Sequence, residues 1–381
     1  MLLKGNLMFR SSPLRHCISI WFFSVLLSHA FAAEGDWPVF HGNAALTGFC
    51  DAELPEKPEV LWRFKTKEKL PIRASPIIGD GQVFVGSYDN SLYALKLADG
   101  TQNWKADTGG TIEGTPCYAE GKVFVGSYDG NLYAFDAKDG KQLWQFKTGD
   151  AIKGGPNFAD GKVIFGSYDN KLYCLDAKTG KVEWSFETTN FINGTPALAG
   201  GKTAFGGCDG LLHVLNIADG KELKSVDAGA YIAASAAIDG GIAYVGHHEN
   251  EFLAADLNKG EVLWRFKSPK DQPFMSSPAL SKEYAIVGCD DKMLHCLKRT
   301  EGTEVWSFSA KGKIDSSPAI ARDRVLIGDE KGRVTMLSIK DGKVLWEYEI
   351  GASVDTSAAI SNHVFIFGAN DGSVTAFGQK K

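Results

Sequence analysis

An all-β, eight-bladed propeller of four-stranded blades is the fold this sequence predicts, its ring closed by an N-terminal strand that completes the last blade. Three observations predict it. One glycine recurs at Gly86, Gly126, Gly166, Gly206, Gly246, Gly288, Gly328 and Gly368, in steps of 40 residues with a single 42. Tryptophan recurs in a fixed register at Trp62, Trp104, Trp144, Trp184, Trp264, Trp306 and Trp346, with Lys224 standing in the remaining slot. The eighth repeat, finally, stops one strand short, while one strand stands alone ahead of the first repeat. A period near 40 residues made only of short strands is what radially repeated four-stranded blades require.

The chain opens with a leader over residues 1–32. Lys4, Arg10 and Arg15 form a positive start, Ile18 to Leu27 an apolar run, and Ala30-Phe31-Ala32 a small-x-small cleavage site. The run is shorter than the ~20 residues of a comfortable membrane span. Cys17 precedes it, so no lipid-modified cysteine is visible. The expectation is cleavage, release into the periplasm or the medium, and no stable membrane insertion. Cleavage would remove three cations and take the net charge from −5 to −8. So acidic a surface argues against nucleic acid and anionic lipid as partners.

Residues 33–57 read as a lead-in and 58–381 as the propeller. Glu59 to Phe64 is the lone strand, of the type that ends each repeat. Within a repeat the strands A to D read like Ala74–Ile78, then QVFVGS, SLYALK and TQNWKA. The B–C turns carry Asp89-Asn90 or Asp129-Gly130, which suit the positive φ of tight hairpins. The C–D turns carry Gly100, Gly140 and Gly180. Leu132 to Phe135 are apolar on both faces, as a blade held between two others must be. The last repeat runs from Ser357 to Phe377 and lacks a D strand, which Glu59 to Phe64 can supply, leaving no open edge.

The pattern A-x-D-x-x-[TD]-G-x-x-x-W stands here as Ala134, Asp136, Asp139, Gly140 and Trp144. It recurs as Asp176, Thr179, Gly180 and Trp184, and as Ala254, Asp256, Gly260 and Trp264. It resembles the tryptophan-docking repeat of the pyrroloquinoline-quinone (PQQ) propellers, a superfamily that includes quinoprotein alcohol dehydrogenases and BamB-type scaffold proteins. Asp36 to Asn43 resembles the lead-in of such proteins. The resemblance implies that the seven repeat tryptophans are structural, each docking between an alanine-bearing strand and a glycine-bearing turn of the next blade.

Function is sought on the face that carries the B–C and D–A links, because the two long D–A links (Trp62 to Pro76, Trp264 to Pro278) are there. Three positions before each strand-A proline slot lie Arg73, Glu113, Lys153, Asn193, Ala233, Met275, Asp315 and Asp355. This position changes residue from blade to blade until the last two, and Arg73, Glu113, Lys153, Asn193, Asp315 and Asp355 are the candidate ligand ring of the channel. A second ring, at the end of strand B, holds Tyr88, Tyr128, Tyr168, Cys208, His248, Asp290, Glu330 and Asn370. Blades 4 and 5 depart from the repeat together, and Phe191, Tyr231, His247 and His248 form a candidate partner patch.

A quinoprotein dehydrogenase would need PQQ on a calcium held by six to eight oxygens, an aspartate base, a tryptophan floor and, in many members, a vicinal disulfide. No adjacent cysteines occur, and the repeat tryptophans are already assigned. No cofactor is therefore assigned, PQQ with calcium being the alternative. Nor is a metal assigned: His247, His248, Glu249, Asp290 and Asp291 adjoin in ring order, but successive strand residues point opposite ways. The six cysteines after the leader, with no C-x-x-C pair, read as mostly buried free thiols. The resulting expectation is a monomeric, non-catalytic scaffold for an envelope protein or polymer, with a minimal quinoprotein or ligand sensor as the alternative.

Overall fold

The computed structural model describes residues 35–380; the leader predicted over 1–32 lies outside them. Six four-stranded antiparallel sheets follow one another along the chain, a seventh gains a fifth strand, Phe49–Cys50 of the lead-in, parallel to Ala319–Ala321, and an eighth sheet joins the two ends of the chain. Blade 1 consists of Ile77–Gly79, Gln82–Gly86, Ser91–Lys96 and Gln102–Asp107, strands A to D from the channel outwards. Blade 8 takes Ala359–Ser361, Val364–Gly368 and Ser373–Gly378 from the C-terminal end and Glu59–Lys65 from the N-terminal end. The last two pair antiparallel, Val60 opposite Phe377 and Trp62 opposite Ala376. The predicted closure is thus present, and no sheet edge is open at the seam. No α-helix occurs among the described residues, which contain one short 3-10 turn at Phe40–Gly42.

The recurring glycine has a packing cause. A Cβ on Gly86 would run into the side chain of Ile112 in blade 2, and Gly126 meets Ile152 in the same way. The contact travels round the ring until Gly368 of blade 8 meets Ile72 of blade 1. Each strand B therefore receives a buried aliphatic or aromatic side chain from the next blade, and only glycine leaves room for it.

The tryptophans dock at the outer side. Trp104 covers Gly140, whose added Cβ would lie 2.6 Å from the indole, and its Nε1 donates to Ala137 O at 2.9 Å. Trp62, Trp144, Trp184, Trp264 and Trp306 repeat this, each indole donating to a carbonyl of the following blade at 2.8–3.2 Å. Trp346 differs. Its neighbour, blade 8, draws strand D from the other end of the chain and so has no C–D turn to dock on. Trp346 packs edge-on to Phe365 and Phe377 instead.

In blade 4 the stem of Lys224 lies over Gly260, in the empty tryptophan slot. Lys224→Trp is expected to add about 1–2 kcal/mol by burying an indole there. Urea melts that show a loss instead would mean that the slot between blades 4 and 5 has closed.

The lead-in makes a circuit of the molecule. Trp37 exchanges two backbone hydrogen bonds with Ile78 of blade 1, at 2.8 and 2.9 Å. Tyr118 then donates to Pro38 O, Leu198 to Ala44 O, Ile238 to Ala45 O, Leu280 to Thr47 O, Ile320 to Gly48 O and His363 to Glu53 O. Blade 3 joins through Asn157, whose side-chain amide donates to Ala44 O at 2.8 Å. One segment therefore ties all eight A strands at their A–B ends, and Phe40 is left lining the channel from that side.

Candidate functional site

Each D–A link delivers two neighbouring residues to the axis. The first is the buried Ile72-type residue that packs on the preceding blade's glycine. The second, fixed by it, is the ring residue. All eight ring positions, Arg73, Glu113, Lys153, Asn193, Ala233, Met275, Asp315 and Asp355, line one cavity of 460 Å³. The second ring is tied to the first by backbone. In every blade the N–H of the strand-B residue donates to the carbonyl two positions before the ring residue, Tyr88 to Pro71 O and Asn370 to Ser353 O among them, at 2.9–3.1 Å.

The charges within the cavity are mostly spent on one another. Glu113 accepts from Tyr128 Oη at 2.5 Å and has Lys153 Nζ at 3.7 Å. Asp355 accepts from Asn370 at 2.7 Å and from Ser353 at 2.5 Å, with Arg73 at 3.7 Å. Arg73 also lies over the Tyr88 ring, 5.5 Å from its centre. Asn193 reaches Cys208 Sγ at 3.0 Å, and Lys313 pairs with Asp290 at 2.9 Å. Asp315 makes no hydrogen bond or ion pair among the described residues. Enclosure by protein, with Asp290 and Asp355 nearby, raises its pKa to about 6.

Sequence reasoning missed the layer beneath. Two positions after each ring residue stands Ser or Thr in seven blades and Gly155 in blade 3. Thr195 N donates to Ser235 Oγ, Ser235 N to Ser277 Oγ, Ser277 N to Ser317 Oγ, Ser317 N to Ser357 Oγ and Ser357 N to Ser75 Oγ, at 2.9–3.1 Å. This belt of hydroxyls stitches neighbouring blades below the cavity. The recurrence of Ser/Thr at one register was the available signal. Lys313, Asp290 and Phe40 also line the cavity, and the ring position alone did not point to them.

Of the four residues read as a partner patch, Phe191, Tyr231 and His248 lie at the surface and His247 does not. Phe191 is 42% exposed and stacks on Tyr168 at 4.8 Å; Tyr231 is 39% exposed and stacks on His248 at 4.3 Å. Phe191 and Tyr231 each stand two residues before a ring position that lines the cavity, Asn193 and Ala233. His247 must be corrected: it is 2% exposed and turned into the blade. It occupies the register of Ser87, Ser127 and Ser167, all fully buried, whereas His248 beside it points out. Blades 1 to 5 thus present an aromatic arc, and blades 6 to 8 an acidic one of Asp290, Asp315, Glu330 and Asp355. All six cysteines of the described residues are free, four of them buried.

The family described as outer membrane protein assembly factor BamB, with PQQ-type repeats, matches the chain over residues 55–152, 129–270 and 249–380. No curated protein sequence matches it. Among solved structures, BamB from Moraxella catarrhalis superposes with a TM-score of 0.72 at 18% identity, covering 85% of this chain and 98% of that one. A quinohemoprotein alcohol dehydrogenase, ADHIIG of Pseudomonas putida HK5, gives 0.77 at 14% identity, with 91% and 81% covered. The computationally designed Ika8 protein gives 0.76 at 18%, with 84% and 100% covered. At these identities the structures share the fold alone.

Proposed function

The chain belongs to the BamB family of PQQ-type repeat propellers, and from that premise we propose that it is an exported, non-catalytic scaffold of the cell envelope that docks a protein partner on the face where the channel opens. The observation that carries this reading is the pair of exposed aromatic stacks, Phe191 on Tyr168 and Tyr231 on His248, beside a polar cavity on the same face. Exposed aromatics set among polar neighbours are typical of interface cores. Lys153 stands four blades round the ring from Asp315, so the recess carries a cation and an acid on opposite sides, suited to a polar loop of the partner.

The lining residues argue against a quinone site. A calcium ion needs six to eight oxygens converging on one point. Glu113 and Asp355 are engaged by hydroxyl, amide and cationic partners, and Asp290 Oδ2 by Lys313, which leaves Asp315 and the unpartnered Asp290 Oδ1 as the uncommitted carboxylate oxygens, fewer than the ion needs. Phe40 is the one aromatic lining the cavity among the described residues, and no tryptophan provides a floor. The family also places its members in the envelope, in keeping with the leader read over 1–32. No helix of the described residues is long and apolar enough to cross a membrane.

Site-directed photo-cross-linking in the producing cell tests the reading. A cross-linker at position 191 is expected to give a discrete protein adduct, lost in the Tyr231→Ala background, while one at Lys178 in a C–D turn of the opposite face gives none. The Phe191→Ala/Tyr231→Ala double variant should fold as the parent does and lose the partner. Equal adducts from both faces, or a partner kept by the double variant, would sink the proposal.

A further inference from the structure

Blade 6 holds a buried cluster that the scaffold reading does not use. Cys289 Sγ, a carboxylate oxygen of Asp291 and a ring nitrogen of His295 lie within 4.8 Å of one another, all three residues buried. His295 is 1% exposed, and its Nε2 has no hydrogen-bond partner. Asp291 Oδ2 stands 3.6 Å from that nitrogen, too far for a hydrogen bond.

The other blades serve as internal controls. At the same registers blades 1 to 3 carry Ser, Asp and Tyr, and each tyrosine donates to its aspartate: Tyr93 to Asp89 at 2.6 Å, Tyr133 to Asp129 at 2.5 Å, Tyr173 to Asp169 at 2.7 Å. Blade 4 carries Gly207, Asp209 and His213, and His213 Nε2 closes on Asp209 at 2.9 Å. In both histidine blades Nδ1 is held at 2.7 Å by a strand-D carboxylate, Glu222 or Glu304. Blade 6 alone adds a thiol, and there the Nε2 contact opens.

The long D–A link contributes too. It brings Gln272 O and Pro273 O to 3.4 Å from Cys289 Sγ. Ser268 Oγ lies 3.6 Å from Sγ and 3.4 Å from Asp291 Oδ2.

From this geometry we infer that blade 6 binds one zinc ion through Cys289 Sγ, Asp291 and His295 Nε2, with Ser268 Oγ placed for the fourth position. Thiolate, imidazole and carboxylate together are a zinc donor set. Ligands at about 2.0–2.3 Å from a tetrahedral ion stand roughly 3.3–3.8 Å apart; Nε2 to Asp291 Oδ2 and Ser268 Oγ to both Sγ and Oδ2 already do, and the remaining ligand atoms, within 4.8 Å of one another, close in by at most about 1 Å. Glu304 on Nδ1 is the outer carboxylate that orients a ligating histidine. Binding exchanges the divalent cation for the proton on Sγ and any proton on Nε2, while the ring keeps its Nδ1–H on Glu304. The site is closed and buried, so the ion's role is to hold strands B and C of blade 6 to the long link.

The test uses the full chain, reduced and stripped of metal, titrated with Co2+ and then with Zn2+. One equivalent of Co2+ is expected to raise a thiolate-to-cobalt charge-transfer band, which Zn2+ abolishes while raising the melting temperature. Cys289→Ser restores the residue of blades 1 to 3 and should fold normally, losing the band and at least about 100-fold in Zn2+ affinity. His295→Tyr, which recreates the Tyr–Asp bond of those blades, should also lose it. A folded parent without the band, or a band that survives in Cys289→Ser, overturns the site.

Discussion

Trp104→Ala is expected to lower stability by about 3–5 kcal/mol in equilibrium urea unfolding, the largest effect of any single substitution considered. The indole is 7% exposed and fills the space between its own strand and Gly140 of the next blade. Removing it leaves a cavity that the backbone of Gly140, at φ +73°, cannot collapse into. It also removes one of the two donors to Ala137 O, which keeps only Gln82 Nε2 at 2.9 Å. Trp104→Phe keeps a ring but not the N–H, and should cost less. Trp144 is more exposed than Trp104, so Trp144→Ala belongs near the lower end of the range. A loss below 1 kcal/mol for Trp104→Ala would contradict the docking role.

Acid weakens the protein through the lead-in. His41 is 1% exposed, stacks on Phe40 at 4.3 Å, and its Nδ1–H donates to Leu46 O at 3.2 Å. Its Nε2 finds no partner. Burial lowers its pKa from 6.5 to about 4. The folded state thus prefers the neutral ring. Its contribution is whole above pH 6.5 and drains away as pH falls toward 4, by about 3 kcal/mol in all. Asp315, with its pKa raised to about 6, has the opposite sign, becoming less of a burden as it protonates. The readout is therefore the difference between the parent and His41→Asn, since asparagine tolerates the positive φ of +57° at this position. The variant is expected to pay a constant offset near neutral pH and to lose less stability than the parent between pH 6.5 and 4. Parallel pH profiles would mean that the lead-in opens before the ring charges.

The blade count and the docking tryptophans were legible because each is written eight times, or nearly so, in one register, and the seam because the last repeat lacks the strand that stands alone before the first. The Gly86-type position could be aligned without knowing why it was glycine; its cause, Ile112 from the next blade, is a contact between repeats and has no local signature. The lead-in was legible only as a lead-in. Its circuit is made by single carbonyls of Pro38, Ala44, Ala45, Thr47 and Gly48, and backbone acceptors leave no pattern in side chains. The channel ring was found because one variable position stood among constant ones. His247 was misplaced for want of the comparison with Ser87, Ser127 and Ser167, whose buried hydroxyls mark that register as inward. The same alignment would have drawn Cys289, Asp291 and His295 together, where reading neighbours along the chain had grouped Asp290 with Asp291 across opposite faces.

We propose that this propeller keeps the PQQ-type repeat without a quinone site and works by docking. Titration of the purified protein with PQQ in the presence of Ca2+, followed by tryptophan fluorescence and calorimetry, tests it most directly. No saturable binding up to high micromolar cofactor is the predicted result. Saturable binding at one site, abolished by Asp315→Asn, would contradict the account and place a quinone in the channel.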